Sequence, residues 1–124
     1  MNHKKEICNS YSRINKFIIK TPIIESTYLN NLLNSKILIK CENLQRTGSF
    51  KIRGALNFVS QLNGKKVVVA PSSGNHAQAV AEAASIFGLN SHLIMPKDSP
   101  KIKVEGVIKS GGKIKFFNRF KEDR

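Results

Sequence analysis

Apolar residues change their spacing along this chain, and the change marks out its elements. From residue 65 onward, short aliphatic runs alternate with longer amphipathic stretches. Lys66–Ala70, Ser91–Met95 and Lys113–Phe117 read as strands, and His76–Phe87 and Ile102–Lys109 read as helices. This succession predicts parallel βαβ units, because a parallel neighbour needs a crossover long enough to hold a helix. Lys66-Val67-Val68-Val69-Ala70 is apolar almost throughout and reads as a buried strand. Upstream, the spacing predicts helices near His3–Asn15 and Thr27–Leu33, an extended piece at Ile23–Glu25 and a strand at Lys36–Lys40. A further helix over Phe50–Leu62 is stopped by Asn63-Gly64. No internal repeat, low-complexity tract or linker interrupts the 124 residues, a length that holds one small core.

Two polar interruptions of this pattern carry candidate chemistry. The first is Ser49-Phe50-Lys51-Ile52-Arg53-Gly54-Ala55, directly after Glu42-Asn43-Leu44-Gln45-Arg46-Thr47-Gly48. Ser49 is a good N-cap, since its hydroxyl can take a free N–H of the first turn. Lys51 falls just inside the helix start, where unpaired N–H groups and the macrodipole present positive charge, with Arg53 close by. A neutral lysine amine there can attack a carbonyl to form a Schiff base. Alone, the segment reads first as a solvated surface lysine, since lysines near helix starts are common. The second interruption is Pro71-Ser72-Ser73-Gly74-Asn75, between a strand and an alanine-rich helix. That geometry aims backbone N–H groups at an anion. Two hydroxyls, a glycine and an amide suit a small carboxylate better than a long nucleotide, and a serine-capped βα turn is the plain alternative.

Together the two segments resemble the fold-type II family of pyridoxal-phosphate enzymes, in particular its threonine dehydratase and serine racemase branch. Glu42 through Ala55 is similar to that branch's cofactor-lysine signature nearly residue for residue, and Ser72 through Gln78 to its substrate-carboxylate loop. Met95 through Val104, followed by Gly111-Gly112, and Thr21-Pro22-Ile23 near the start fit in the same order and spacing.

The resemblance implies an α/β fold like that of the tryptophan synthase β chain, with three layers around a parallel sheet, present here incompletely. Residues 1–63 would form the amino-terminal part of the large cofactor domain, and residues 64–124 most of the small substrate-loop domain. Lys51 would link covalently to pyridoxal 5'-phosphate, Phe50 would pack beside its ring, and Asn75 would hydrogen-bond the ring's 3-hydroxyl. Ser72, Ser73, Gly74, Asn75 and His76 would surround the substrate carboxylate. Ser73 falls where racemase members place a second acid/base, which makes Lys51 and Ser73 the implied catalytic pair.

The implied activity is threonine/serine ammonia-lyase, giving a 2-oxo acid and ammonia as in isoleucine biosynthesis. Serine racemase and hydroxyaspartate dehydratase are alternatives, and a non-catalytic remnant stands outside the enzyme class. Expected partners are small hydroxy amino acids, threonine or serine, with the full-length relative a homo-oligomer. The family's glycine-rich phosphate cradle has no counterpart in these residues, where Gly111-Gly112 is only a pair. Nor is there a match for the residue facing the pyridine nitrogen or for the metal-binding carboxylates. The expectation is an amino-terminal portion, inactive alone.

Charge brings in a rival. Twenty-one Lys and Arg against eight Asp and Glu give a net charge of +13, the mark of many nucleic-acid or anionic-membrane binders. The lysines are spread out rather than gathered in a stripe, and no nucleic-acid module is visible, so no nucleic-acid partner is expected. Abundant isoleucine, lysine and asparagine point instead to an AT-rich coding sequence. Cys8 and Cys41 lack metal spacing and are expected to stay reduced, and His3 and His92 read as structural. With no long apolar run and no signal-peptide core after Met1-Asn2-His3-Lys4-Lys5, neither a membrane partner nor a metal is expected, and the expected location is the cytoplasm.

Overall fold

The computed structural model describes residues 3–122. Its carboxyl-terminal part is a parallel sheet of β3 (Val67–Pro71), β4 (Asn90–Pro96) and β5 (Lys113–Phe117), in that order. The strands are joined by α4 (Asn75–Ile86) and α5 (Lys101–Lys109). Register sets Ala70 opposite Leu93 and Met95 opposite Phe116. Both crossover helices cover one face. Val68, Ala70, Leu93 and Met95 turn inward and are buried with Ala77, Val80 and Ala81 of α4 and Val107 of α5. The alanines let α4 lie close to the sheet, and Gly112 extends the same close approach. A Cβ added at Gly112 would stand 2.8 Å from Val107 Cγ1 and 3.0 Å from Leu93 Cδ2.

The other face of the sheet is open. Val67 and Val69 are 47% and 63% exposed, and His92, Lys113 and Lys115 beside them are exposed too. The expectation of a buried β3 is thus corrected, because only every second residue meets the core. Of the three layers implied for the fold, the described residues supply the sheet and one helical layer.

The amino-terminal part contains α1 (His3–Ile14), β1 (Ile23–Glu25), α2 (Thr27–Leu33), β2 (Leu38–Lys40) and α3 (Lys51–Val59). A 3₁₀ turn, Asn15–Phe17, follows α1, and another, Glu42–Leu44, precedes α3. β1 and β2 pair antiparallel. Ser26 caps α2, its hydroxyl accepting from Leu29 N at 3.3 Å. Ile23, Ile24, Tyr28, Leu32 and Leu38 on these pieces remain exposed.

α3 joins the core instead. Ile52, Ala55, Leu56 and Val59 recur at helical spacing, and all are buried in one cluster with α4 and the sheet. The helix stops at Val59, before the expected Leu62, because its final turn tightens. Gln61 N and Leu62 N reach back only three residues, to Phe58 O and Val59 O at 3.1 Å each. Gly64, at φ +71, then turns the chain toward β3.

Candidate active site

α3 and α4 pack against one another. A cleft of about 290 Å³ lies between them and β3, with Gly54 and Phe58 on one wall, Val69 and Ala70 at its floor, and His76 and Val80 on the other wall. The second turn of α3 thus faces the first two turns of α4. Lys51 opens α3 one turn before the lining residue Gly54, and Asn75 opens α4 directly before the lining residue His76.

Lys51 is exposed, and its ammonium sits 4.9 Å from the centroid of the Phe50 ring, within cation–π range. Phe50, 58% exposed, occupies the cap position of α3 with helical dihedrals, and no side chain caps the helix. This corrects the N-cap expectation for Ser49. Gly48, at φ +67, turns the chain before Ser49, and Gly48 N donates to Gln45 O at 2.7 Å. The serine is turned inward before the helix begins. Its Oγ is buried without a hydrogen-bond partner, as is Thr47 Oγ1.

The start of α4 is open in a different way. Ser72 N donates to Ile94 O at 3.0 Å, which fixes the loop to β4, and Gly74 N donates to Ser72 Oγ at 3.2 Å. The Ser72 hydroxyl is therefore used within the loop, and no side chain caps α4. A serine-capped helix start is not what forms here. First-turn N–H groups of α4 remain available to an outside acceptor, where the helix dipole favours an anion. Ser73 and Gly74 are half-buried, Asn75 and His76 exposed, and the Ser73 hydroxyl makes no hydrogen bond to the described residues.

The sequence reading assigned no role to Glu42. Its carboxylate receives Arg53 Nε on Oε2 at 2.8 Å, Arg53 Nη2 on Oε1 at 2.7 Å and Thr21 Oγ1 on Oε1 at 2.6 Å. The carboxyl is pulled down from 4.5 to about 2, chiefly by the Arg53 hydrogen bonds; burial opposes this, and the Thr21 hydroxyl and the charges of Arg53 and Lys40 add to it. Nearby, the Gln45 side chain bonds both Ile19 N and Ile19 O at 2.9 Å. Only the Glu42–Leu44 turn brings Glu42 under α3, and that turn has no strong sequence signal.

Donor chemistry here fits pyridoxal phosphate at two points: an exposed amine for its carbonyl carbon, and an uncapped helix start with Asn75 and free hydroxyl and N–H donors. No glycine-run cradle for the phosphate occurs among the described residues. Residues 14–124 match the family model described as pyridoxal-phosphate dependent enzyme. The chain belongs to this family, and its α/β fold is that of the fold-type II members. It is 43% identical to the serine racemase of Schizosaccharomyces pombe over 122 residues, covering 96% of this chain and 38% of the relative. It is 42% identical to the L-threo-3-hydroxyaspartate ammonia-lyase of Saccharomyces cerevisiae, covering 96% of this chain and 37% of the relative. Among solved structures, a T.th. threonine deaminase superposes with a TM-score of 0.80 at 38% identity, over 93% of this chain and 36% of that one. The chain thus spans under two-fifths of the length of the relatives it matches. No described helix is long and apolar enough to cross a membrane, and no group of metal-ligating side chains occurs among the described residues.

Proposed function

We propose that the protein carrying this chain is a pyridoxal-phosphate-dependent ammonia-lyase that removes the hydroxyl of a small 2-amino-3-hydroxy acid, threonine or serine, to leave a 2-oxo acid and ammonia. The observation that carries this reading is an exposed lysine at the opening of α3, one turn from a cleft whose other wall is the first two turns of the uncapped helix α4. In that reading residues 1–63 belong with the large cofactor domain and residues 64–124 with the small domain.

When bound, the cofactor supplies an electron sink for charge developing at the substrate α-carbon. Lys51 would hold it covalently, and its amine would serve as the general base for the substrate α-proton. Phe50 would pack beside the ring and Asn75 would hydrogen-bond its 3-hydroxyl. The free N–H groups of α4, with Ser72, Gly74 and His76, hold the substrate carboxylate and so fix which α-bond faces Lys51. Ser73, its hydroxyl uncommitted, holds a proton on the opposite face. A second reading, serine racemisation, rests on that hydroxyl and on the 43% identity to a serine racemase.

A chimera tests the reading: this chain replacing the matching segment of the fission-yeast serine racemase. It should release 2-oxo acid from serine, and Lys51→Ala should abolish the release. Ser73→Ala should cut racemisation by about 100-fold or more, the scale of losing one active-site proton carrier, while leaving the cofactor spectrum intact. Full turnover by the Lys51→Ala chimera would refute the assignment.

A further inference from the structure

We infer that Glu42, clamped to Arg53, is a positioning residue for Lys51: the carboxylate fixes the first turn of α3 and so aims the lysine amine. This rests on the reading of Lys51 as the cofactor lysine. α3 opens without a side-chain cap, and Ser49, the residue suited to cap it, is turned inward with its hydroxyl unpaired. Something else must hold the helix start. Arg53 lies two residues beyond Lys51 and meets Glu42 through a two-point fork, the geometry that fixes direction as well as distance.

Glu42 is itself fixed. Thr21 Oγ1 donates to the carboxylate oxygen that Arg53 Nη2 also uses, and Lys40 Nζ donates to Thr21 O at 2.7 Å. Gln45 ties the same turn to Ile19 on both its backbone groups. The first turn of α3 is thereby bound to residues 19–21 and 40–45, whereas its later residues are held by apolar packing and by one hydrogen bond from Arg13 Nε to Asn57 Oδ1 at 2.9 Å. The side chains of Glu42 and Arg53 are 14% and 27% exposed, so water competes weakly for the fork. Lys51 touches none of this network, which leaves its amine free to react.

A purely electrostatic role for Glu42 would act with the opposite sign. Removing its negative charge makes the start of α3 more positive, which favours a neutral and more reactive amine. Loss of positioning makes Lys51 less reactive.

The chimera with the fission-yeast serine racemase is incubated with limiting pyridoxal phosphate, reduced with borohydride and mapped by peptide mass spectrometry, scoring the share of label on Lys51 against all other lysines. In the unsubstituted chimera Lys51 should dominate. In Glu42→Gln, its share should fall by about tenfold, a modest case of the loss that misplacing a reacting group causes. Arg53→Lys keeps the charge and loses the fork, and it should fall likewise. Thr21→Val removes one bond only and should give a smaller fall, so the test survives if Glu42→Gln unfolds; far-UV circular dichroism shows which variants stay folded. An unchanged or increased Lys51 share in folded Glu42→Gln, or in Thr21→Val where Glu42→Gln unfolds, would overturn the inference while leaving the cofactor assignment standing. Label spread evenly over other lysines in the unsubstituted chimera would overturn both.

Discussion

Ser49 and Glu42 show how far single residues disclose their roles. By type and position Ser49 is an N-cap, yet Gly48 turns it into the interior and its hydroxyl is left unpaired. A lost cap would cost about 1 kcal/mol. An unpaired buried hydroxyl costs stability, so Ser49→Ala should instead be neutral or stabilising by up to about 1 kcal/mol in urea unfolding. Glu42 opens the signature segment, but its role carried no local signal, because its partners Thr21 and Arg53 lie 21 and 11 residues away in sequence. Its folded carboxyl lies below the unfolded value. The contribution to stability is therefore complete above about pH 4.5 and lost as pH falls toward 2. Unfolding measured across that range should show the unsubstituted chain losing on the order of 2 kcal/mol that Glu42→Gln never had. The lysine itself was legible, since Ser49 through Ala55 marks a helix start wherever the cap falls.

At the scale of elements, the chain's periodicities were informative because βα alternation is a local signal. β1, α2 and β5 lie where the spacing sets them, and α4, β4 and α5 agree within a residue or two at each end. Two differences have non-local causes. The last turn of α3 tightens after Val59, and β3 is covered on one face alone, which no pattern within Lys66–Ala70 encodes. The sequence expects free N–H groups at the start of α4, and the helix does begin without a side-chain cap. The competing serine cap is absent because Ser72 spends its hydroxyl on Gly74 N. Close packing behind that turn should be sensitive to volume. Gly112→Ala would press on Val107 and Leu93, both fully buried, and should lower stability by about 1–3 kcal/mol in thermal unfolding.

For the described residues as a whole, an open sheet face, two unpaired edges of the three-stranded sheet and exposed apolar side chains such as Ile24, Tyr28 and Leu32 stand beside a net charge of +13 for the chain. The apolar surface favours association, and like charge opposes it. Sedimentation should therefore show self-association that grows as salt screens the repulsion. Weakening with salt would mean that charge drives the contact. Without a phosphate cradle among these residues, the chain alone should release no measurable 2-oxobutanoate from threonine, since the cofactor would be tethered without being oriented. Stoichiometric ammonia release would refute that.

The central claim is that Lys51, at the opening of α3, is the lysine that holds pyridoxal phosphate. The direct measurement is the absorbance of the cofactor–lysine link in the chimera, read beside its Lys51→Ala form. The account predicts a band that borohydride bleaches and that the substitution removes while the protein stays folded. A band of equal strength in Lys51→Ala would contradict it.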